Sequence, residues 1–203
     1  MVRTFDERAA EWDTPRRIAR AREAAETIAA AIDIPPDCDA IEVGAGTGLL
    51  GLALRPRLRS LVLADTSDGM LAEADRKIRD GRLPDVRAVH FDLATDPPPA
   101  GAPFDLAVSL LLLHHVKDTG AALSGMFRLL APRGQVAAID LDTEDGSFHS
   151  PDAEGVHHHG FDRAHLAEIA REAGFTDIRV SDGSPIDDEG RVYPMFLLTA
   201  RRA

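Results

Sequence analysis

One cysteine, Cys38, stands in 203 residues, so no intrachain disulfide can staple the chain. Aromatic residues are scarce too: eight Phe, one Trp and one Tyr. The core must therefore come from Leu, Ala, Val and Ile, and no ladder of rings is available for stacking single-stranded nucleic acid. Positive charge is short, with 23 Lys and Arg against 34 Asp and Glu and a net charge of −11. A phosphate backbone needs a basic footprint, so the expected partner is a small-molecule substrate and not nucleic acid. No apolar run nears the ~20 residues of a spanning helix. The longest, Leu106 to Leu113, is broken by Ser109. The start, Met-Val-Arg-Thr-Phe-Asp-Glu, lacks the apolar stretch of a signal peptide. The expected setting is cytoplasmic, away from membranes, as a monomer or homodimer.

What is present is a globular balance, 44% hydrophobic and 28% charged, at a length that fits one domain over residues 1–203. Phe5 to Trp12 reads as a short helical lead. Thr14-Pro15 then starts a helix whose apolar positions Ile18, Ala21, Ala25, Ile28, Ala29 and Ile32 run toward Pro35-Pro36. Residues 1–36 are expected to form an N-terminal helical cap on an α/β core of residues 37–203. In that core, strands at 40–43, 60–64, 86–91, 104–110, 134–141, 176–181 and 192–200 alternate with helices at 49–54, 67–80, 119–131 and 161–173. The order predicts a doubly wound, Rossmann-like sheet of seven strands, largely parallel and covered on both faces. Segment 142–160 is polar, acidic and rich in histidine without periodicity, which predicts a long functional loop or lid.

Ligands of an open parallel sheet sit at the carboxyl ends of its strands. Here Glu42 and Gly44-Ala45-Gly46-Thr47-Gly48 end the first strand, Asp65 the second and Asp92 the third, while Ser109 and His114-His115 follow the fourth. Glycines let the backbone turn tightly and approach a ligand, and a carboxylate about 20 residues further on is placed to accept bonds from ribose hydroxyls. A dinucleotide fingerprint fails from Gly44, because Leu49 stands where its third glycine belongs. It is met only by Gly46, Gly48 and Gly51, two residues late relative to the strand. Glu42 also disfavours a pyrophosphate and suits a cationic ligand.

The string Ile41-Glu42-Val43-Gly44-Ala45-Gly46-Thr47-Gly48 resembles the acidic first motif of the class I S-adenosylmethionine-dependent methyltransferases. Ala64-Asp65-Thr66-Ser67-Asp68-Gly69-Met70-Leu71 is similar to their second-strand motif, and Leu113-His114-His115-Val116, Leu130-Ala131-Pro132-Arg133-Gly134 and Gly174-Phe175 match later landmarks. Phe5-Asp6, Trp12-Asp13 and Gly160-Phe161-Asp162 resemble a UbiE/COQ5-like branch, methyltransferase type 11/12. The resemblance implies an antiparallel final strand and S-adenosylmethionine as cofactor, with S-adenosylhomocysteine as product. It implies that Gly44 to Gly48 lie against the methionine moiety and ribose, and that Glu42 meets the ammonium group directly or through water. Asp65 would take the ribose hydroxyls and Asp92 the adenine amino group, with Thr66, Met70 and Leu93 framing the ring and Ser109 nearby. The function implied is methyl transfer to a small molecule by in-line displacement, for which orientation and exclusion of water suffice and no metal is required.

His114 and His115 are the candidate catalytic bases, and Trp12 and His149 the candidate substrate or lid contacts. A histidine after a buried strand is more commonly a hydrogen-bonded structural residue. The run His157-His158-His159, with His149, Asp152 and Glu154 near it, looks like a metal site only superficially, since adjacent residues do not readily point at one ion. Two other functions fit parts of the pattern: a nicotinamide-dependent oxidoreductase, through the shifted glycine register, and a non-catalytic S-adenosylmethionine-binding sensor.

Overall fold

A computed structural model of the chain describes residues 4–150, 153, 155–188 and 190–203. Strands β1 (Asp39–Val43), β2 (Ser60–Asp65), β3 (Val86–His90), β4 (Phe104–Leu110), β5 (Leu130–Leu141) and β6 (Phe175–Asp182) share one sheet with the later β9 (Met195–Arg202). Its order is β3-β2-β1-β4-β5-β9-β6. The pairs from β3 through β5 are parallel, and β9 runs antiparallel to both β5 and β6. Strand order reverses between β1 and β4, which opens a crevice at their carboxyl ends.

Helices α1 (Phe5–Arg8), α2 (Pro15–Ala31), α3 (Leu49–Leu54), α4 (Asp68–Gly81), α5 (Thr119–Leu129) and α6 (Arg163–Glu172) complete the chain. Alternation within the strands feeds two cores. Ile41, Val43, Val62 and Ala64 face Leu123 and Met126 of α5 and Leu166 of α6. Ala40, Leu61 and Leu63 face the other way, with Ala24, Ala25 and Ile28 of α2 and Leu50 and Leu54 of α3. Helix α2 is therefore a member of the core layer, while the segment before it lies over the strand ends. Ile28→Ala should cost about 2–5 kcal/mol in urea unfolding. A loss below ~1 kcal/mol would mean that α2 is a detachable cap. No helix among the described residues is long and apolar enough to cross a membrane.

Several boundaries differ from the sequence reading, each for a local reason. The expected helix at 119–131 stops at Leu129, and the expected strand at 134–141 begins at Leu130. Pro132 and Gly134 are accommodated where the β4–β5 register shifts between Phe104 and Leu106, the kind of irregularity that tolerates proline in a sheet. The expected strand at 192–200 is broken at Pro194 into β8 (Arg191–Tyr193) and β9, and β8 pairs back with β7 (Ile186–Asp188) as a hairpin. The expected helical lead at 5–12 is one turn of α1 followed by a 3-10 turn over Ala9–Glu11.

Candidate functional site

The turn after β1 has Gly44, Gly46 and Gly48 all at positive φ. Two glycines show what the turn requires. At Gly51, a Cβ would stand 2.6 Å from Glu42 Oε2 and 2.8 Å from Leu63 Cδ2, so a side chain there would have to displace the Glu42 carboxylate. At Gly46 a Cβ would meet nothing closer than Met70 Sδ and Trp12 Nε1, each 3.9 Å away. The turn is thus packed tightly beneath and left roomy at Gly46, where backbone can meet a ligand.

The acids around this turn have different tasks. Asp65 Oδ2 accepts from Gly46 N–H at 2.6 Å and its Oδ1 from Ser67 N–H at 2.9 Å, so one carboxylate braces both the glycine turn and the start of α4. Ser67 is the N-cap of α4, its hydroxyl accepting from Met70 N–H. Asp92 Oδ1 accepts from Ala94 N–H at 2.8 Å in a partly open turn. Glu42 points beneath the turn. It is 2% exposed, and its Oε2 accepts from Gly51 N–H at 2.8 Å beneath the turn. Burial pushes its carboxyl up to about 8 against the lowering effect of the Gly51 bond, with a smaller upward push from the Asp65 charge. The bond ties α3 to the end of β1.

A raised carboxyl makes a stability prediction. Between its ordinary 4.5 and about 8 the folded protein keeps a proton that the unfolded chain has released, so rising pH destabilises the fold across that window and stops doing so above it. Glu42→Gln should remove this slope, an effect on the order of a few kcal/mol. Thermal midpoints of the two proteins should diverge from pH 5 to pH 8 in favour of the variant. Parallel curves would show that Glu42 is ionised in the fold.

Other predicted contacts divide between open and occupied groups. Thr47 is buried, and its hydroxyl donates to Asp13 Oδ1 at 2.5 Å, while Asp13 Oδ2 pairs with Lys77 Nζ at 2.7 Å. It is therefore turned toward the N-terminal segment. Met70 is buried, Thr66 exposed, and Leu93 packs against Gly125, where a Cβ would lie 2.7 Å from it. Ala45 N–H bonds to Ala64 O at 3.0 Å and fixes the turn to β2. Ser109, 1% exposed at the end of β4, has a buried hydroxyl with no hydrogen-bond partner.

The N-terminal segment closes over this region. Asp6 Oδ1 accepts from Ser67 Oγ at 2.6 Å and Gly69 N–H at 2.8 Å, bonds that hold its carboxyl below the usual range. Arg17 stacks 4.0 Å over the Trp12 ring, and Phe5 meets both Trp12 and His115 edge-on.

Beyond β4, a 3-10 turn over Leu113–His115 brings His114 to Asp140 of β5. Both are buried, at 1% and 0% exposure. His114 Nδ1 donates to the Asp140 carboxylate at 2.6 Å, which leaves the lone pair on Nε2, 3.0 Å from His149 Nε2. His115 Nδ1 donates to Gly155 O at 2.8 Å. Burial, and then the charges of His114 and His115, pull His149 down to about 4, and burial chiefly lowers His115, so these two rings are neutral at pH 7. The 157–159 run does not converge. His158 Nε2 donates to Val116 O at 3.0 Å, His159 Nδ1 lies 3.4 Å from Glu144, and the His157 and His158 N–H groups bond to His114 O. Asp152 and Glu154 lie outside the described residues. Asp140 was not anticipated, and its signal was one acid ending the apolar run Val136 to Ile139.

These residues fit an adenosyl sulfonium. The open backbone at Gly46 gives it a cradle, and Asp65 a negative group beside that cradle. Comparison with known proteins points the same way. Residues 41–136 match the family model described as a methyltransferase domain. An uncharacterized methyltransferase of Schizosaccharomyces pombe is 28% identical over 153 residues, covering 69% of this chain and 54% of that protein. The ubiquinone/menaquinone biosynthesis C-methyltransferase UbiE of Idiomarina loihiensis is 34% identical over 105 residues, 50% of this chain and 41% of that one. The chain spans about half the length of the curated relatives it matches. Among solved structures, a SAM-dependent methyltransferase from Aquifex aeolicus superposes with a TM-score of 0.70 at 19% identity, covering 99% of this chain and 100% of that one. Residues 41–136 thus match a methyltransferase domain, and the chain as a whole shares the fold of that solved SAM-dependent methyltransferase.

Proposed function

We propose that the protein transfers the methyl group of S-adenosylmethionine to a small-molecule acceptor. One observation supports the reading: an open glycine turn after β1 is held by the Asp65 carboxylate at the end of the neighbouring β2, where a parallel sheet presents its ligand contacts. When bound, S-adenosylmethionine supplies a methyl group on a positively charged sulfur, which an acceptor attacks in line. Asp65 receives the ribose hydroxyls while keeping the turn in register, and Asp92 receives the adenine amino group. Glu42 acts through α3 by fixing the turn from below. Trp12 and Phe5 keep water from the crevice. His114 and His149 present ring nitrogens on the side where β4 ends, and there an acceptor can lose its proton. The net charge of −11 makes a nucleic-acid acceptor unfavourable, which supports a small molecule.

Incubation with S-adenosylmethionine and a broad panel of thiols, amines, phenols and activated carbon acids tests this by mass spectrometry. S-adenosylhomocysteine and a methylated product should appear together. Tight cofactor binding with no consumption across the panel would favour a sensor, and a response to NAD would favour an oxidoreductase.

A further inference from the structure

We propose that His114, His115 and His149 bind a zinc-type divalent cation through their ring nitrogens, with Asp140 orienting the first of them. Metal-ligating atoms of the three side chains all lie within 4.8 Å of one another. Tetrahedral zinc, at about 2.0–2.1 Å from each nitrogen, sets its ligands about 3.4 Å apart. The Nε2 atoms of His114 and His149, 3.0 Å apart, are already near that spacing. His115 offers its ligand atom within 4.8 Å of theirs.

The surroundings match what a metal-bound imidazole requires. Such a ring usually donates its second N–H to a carboxylate or a backbone carbonyl, which fixes the tautomer and aims the lone pair. His114 Nδ1 does so to Asp140 and His115 Nδ1 to Gly155 O. Asp140 is itself locked, with Oδ1 accepting from Leu141 N–H at 2.8 Å and Oδ2 from His114 N–H at 3.3 Å. The third ligand comes from a separate segment, the 142–160 loop; His114 and His115 are adjacent, but unlike the 157–159 run they stand on a 3-10 turn that brings a ring nitrogen of each within 4.8 Å of His149. That loop is stitched to the turn through His157 and His158 N–H on His114 O. Phe148 is edge-on to both His114 and Tyr193 and steadies the residue beside His149. Three imidazole nitrogens suit zinc and its transition-metal neighbours, not magnesium or calcium. Three protein ligands leave a fourth position for water or an anionic group. This inference stands independently of methyl transfer.

The test uses the full chain without an affinity tag, stripped with chelator and titrated with zinc chloride by calorimetry. Cobalt chloride serves as an optical probe of tetrahedral coordination. The parent should take up one zinc per chain and give the intense visible bands of tetrahedral cobalt. His149→Ala, on the loop, should weaken zinc by at least about 100-fold, and Asp140→Asn by about 10–100-fold. His159→Ala, whose ring lies outside the cluster, should change it by less than about twofold. Circular dichroism verifies that each variant is folded. Failure of the parent to take up zinc, or undiminished affinity in folded His149→Ala, would overturn the proposal and leave the cluster as hydrogen-bonded imidazoles. Neither result bears on S-adenosylhomocysteine binding, which is measured separately.

Discussion

Asp65→Ala is expected to weaken S-adenosylhomocysteine binding about 10- to 150-fold, equivalent to the ~1.5–3 kcal/mol of charged hydrogen bonds. The argument has two parts. A carboxylate at the end of β2 is the acceptor the ribose hydroxyls need. The same group also takes the Gly46 and Ser67 N–H bonds, so its removal loosens the cradle while deleting a ligand contact. Asp65→Asn should recover little, because its amide can oppose only one of those N–H groups with an oxygen. Calorimetry on both variants, beside their thermal midpoints, separates lost contact from lost fold. Unchanged affinity in a folded Asp65→Ala would show that the ribose lies elsewhere.

The second large effect concerns turnover. His114→Asn should lower the methylation rate about 10²–10⁴-fold while changing S-adenosylhomocysteine affinity by less than about threefold. Asn keeps a donor near the Nδ1 position for Asp140 and removes Nε2, the nitrogen that faces His149. His114→Ala is the poorer probe, since it strands a fully buried carboxylate and should cost about 3–5 kcal/mol of stability. The rate loss is expected whether Nε2 takes the acceptor's proton itself or holds an ion that makes the acceptor more acidic. Turnover of His114→Asn within threefold of the parent would remove the histidines from the chemistry.

Features legible in the sequence are those fixed by short-range chemistry. Thr14-Pro15 and Ser67 mark helix starts because a hydroxyl at N-cap and proline at the first position satisfy local backbone demands, and both helices begin there. The glycine turn was legible because its positive φ angles favour glycine, and Asp65 because an acid closes the apolar run of β2. Pro194 was misjudged: it has no N–H to give a ladder, and the break it makes lets Val192 pair with Asp187. Glu42 was legible as the acid before the glycine turn but not as a buried one, because its partner Gly51 lies nine residues on, in α3, and only packing reveals the 2.8 Å bond. The histidine cluster was least legible. His114, Asp140 and His149 span 35 residues, and the loop geometry that joins them has no periodic signature.

Isothermal titration of the purified chain with S-adenosylhomocysteine, and in parallel with NAD, tests the central claim most directly. The account predicts one site per chain at about micromolar affinity for the first ligand and no heat from the second. Absence of S-adenosylhomocysteine binding in the folded protein would contradict it, and saturable binding of NAD in its place would assign the crevice to a different cofactor.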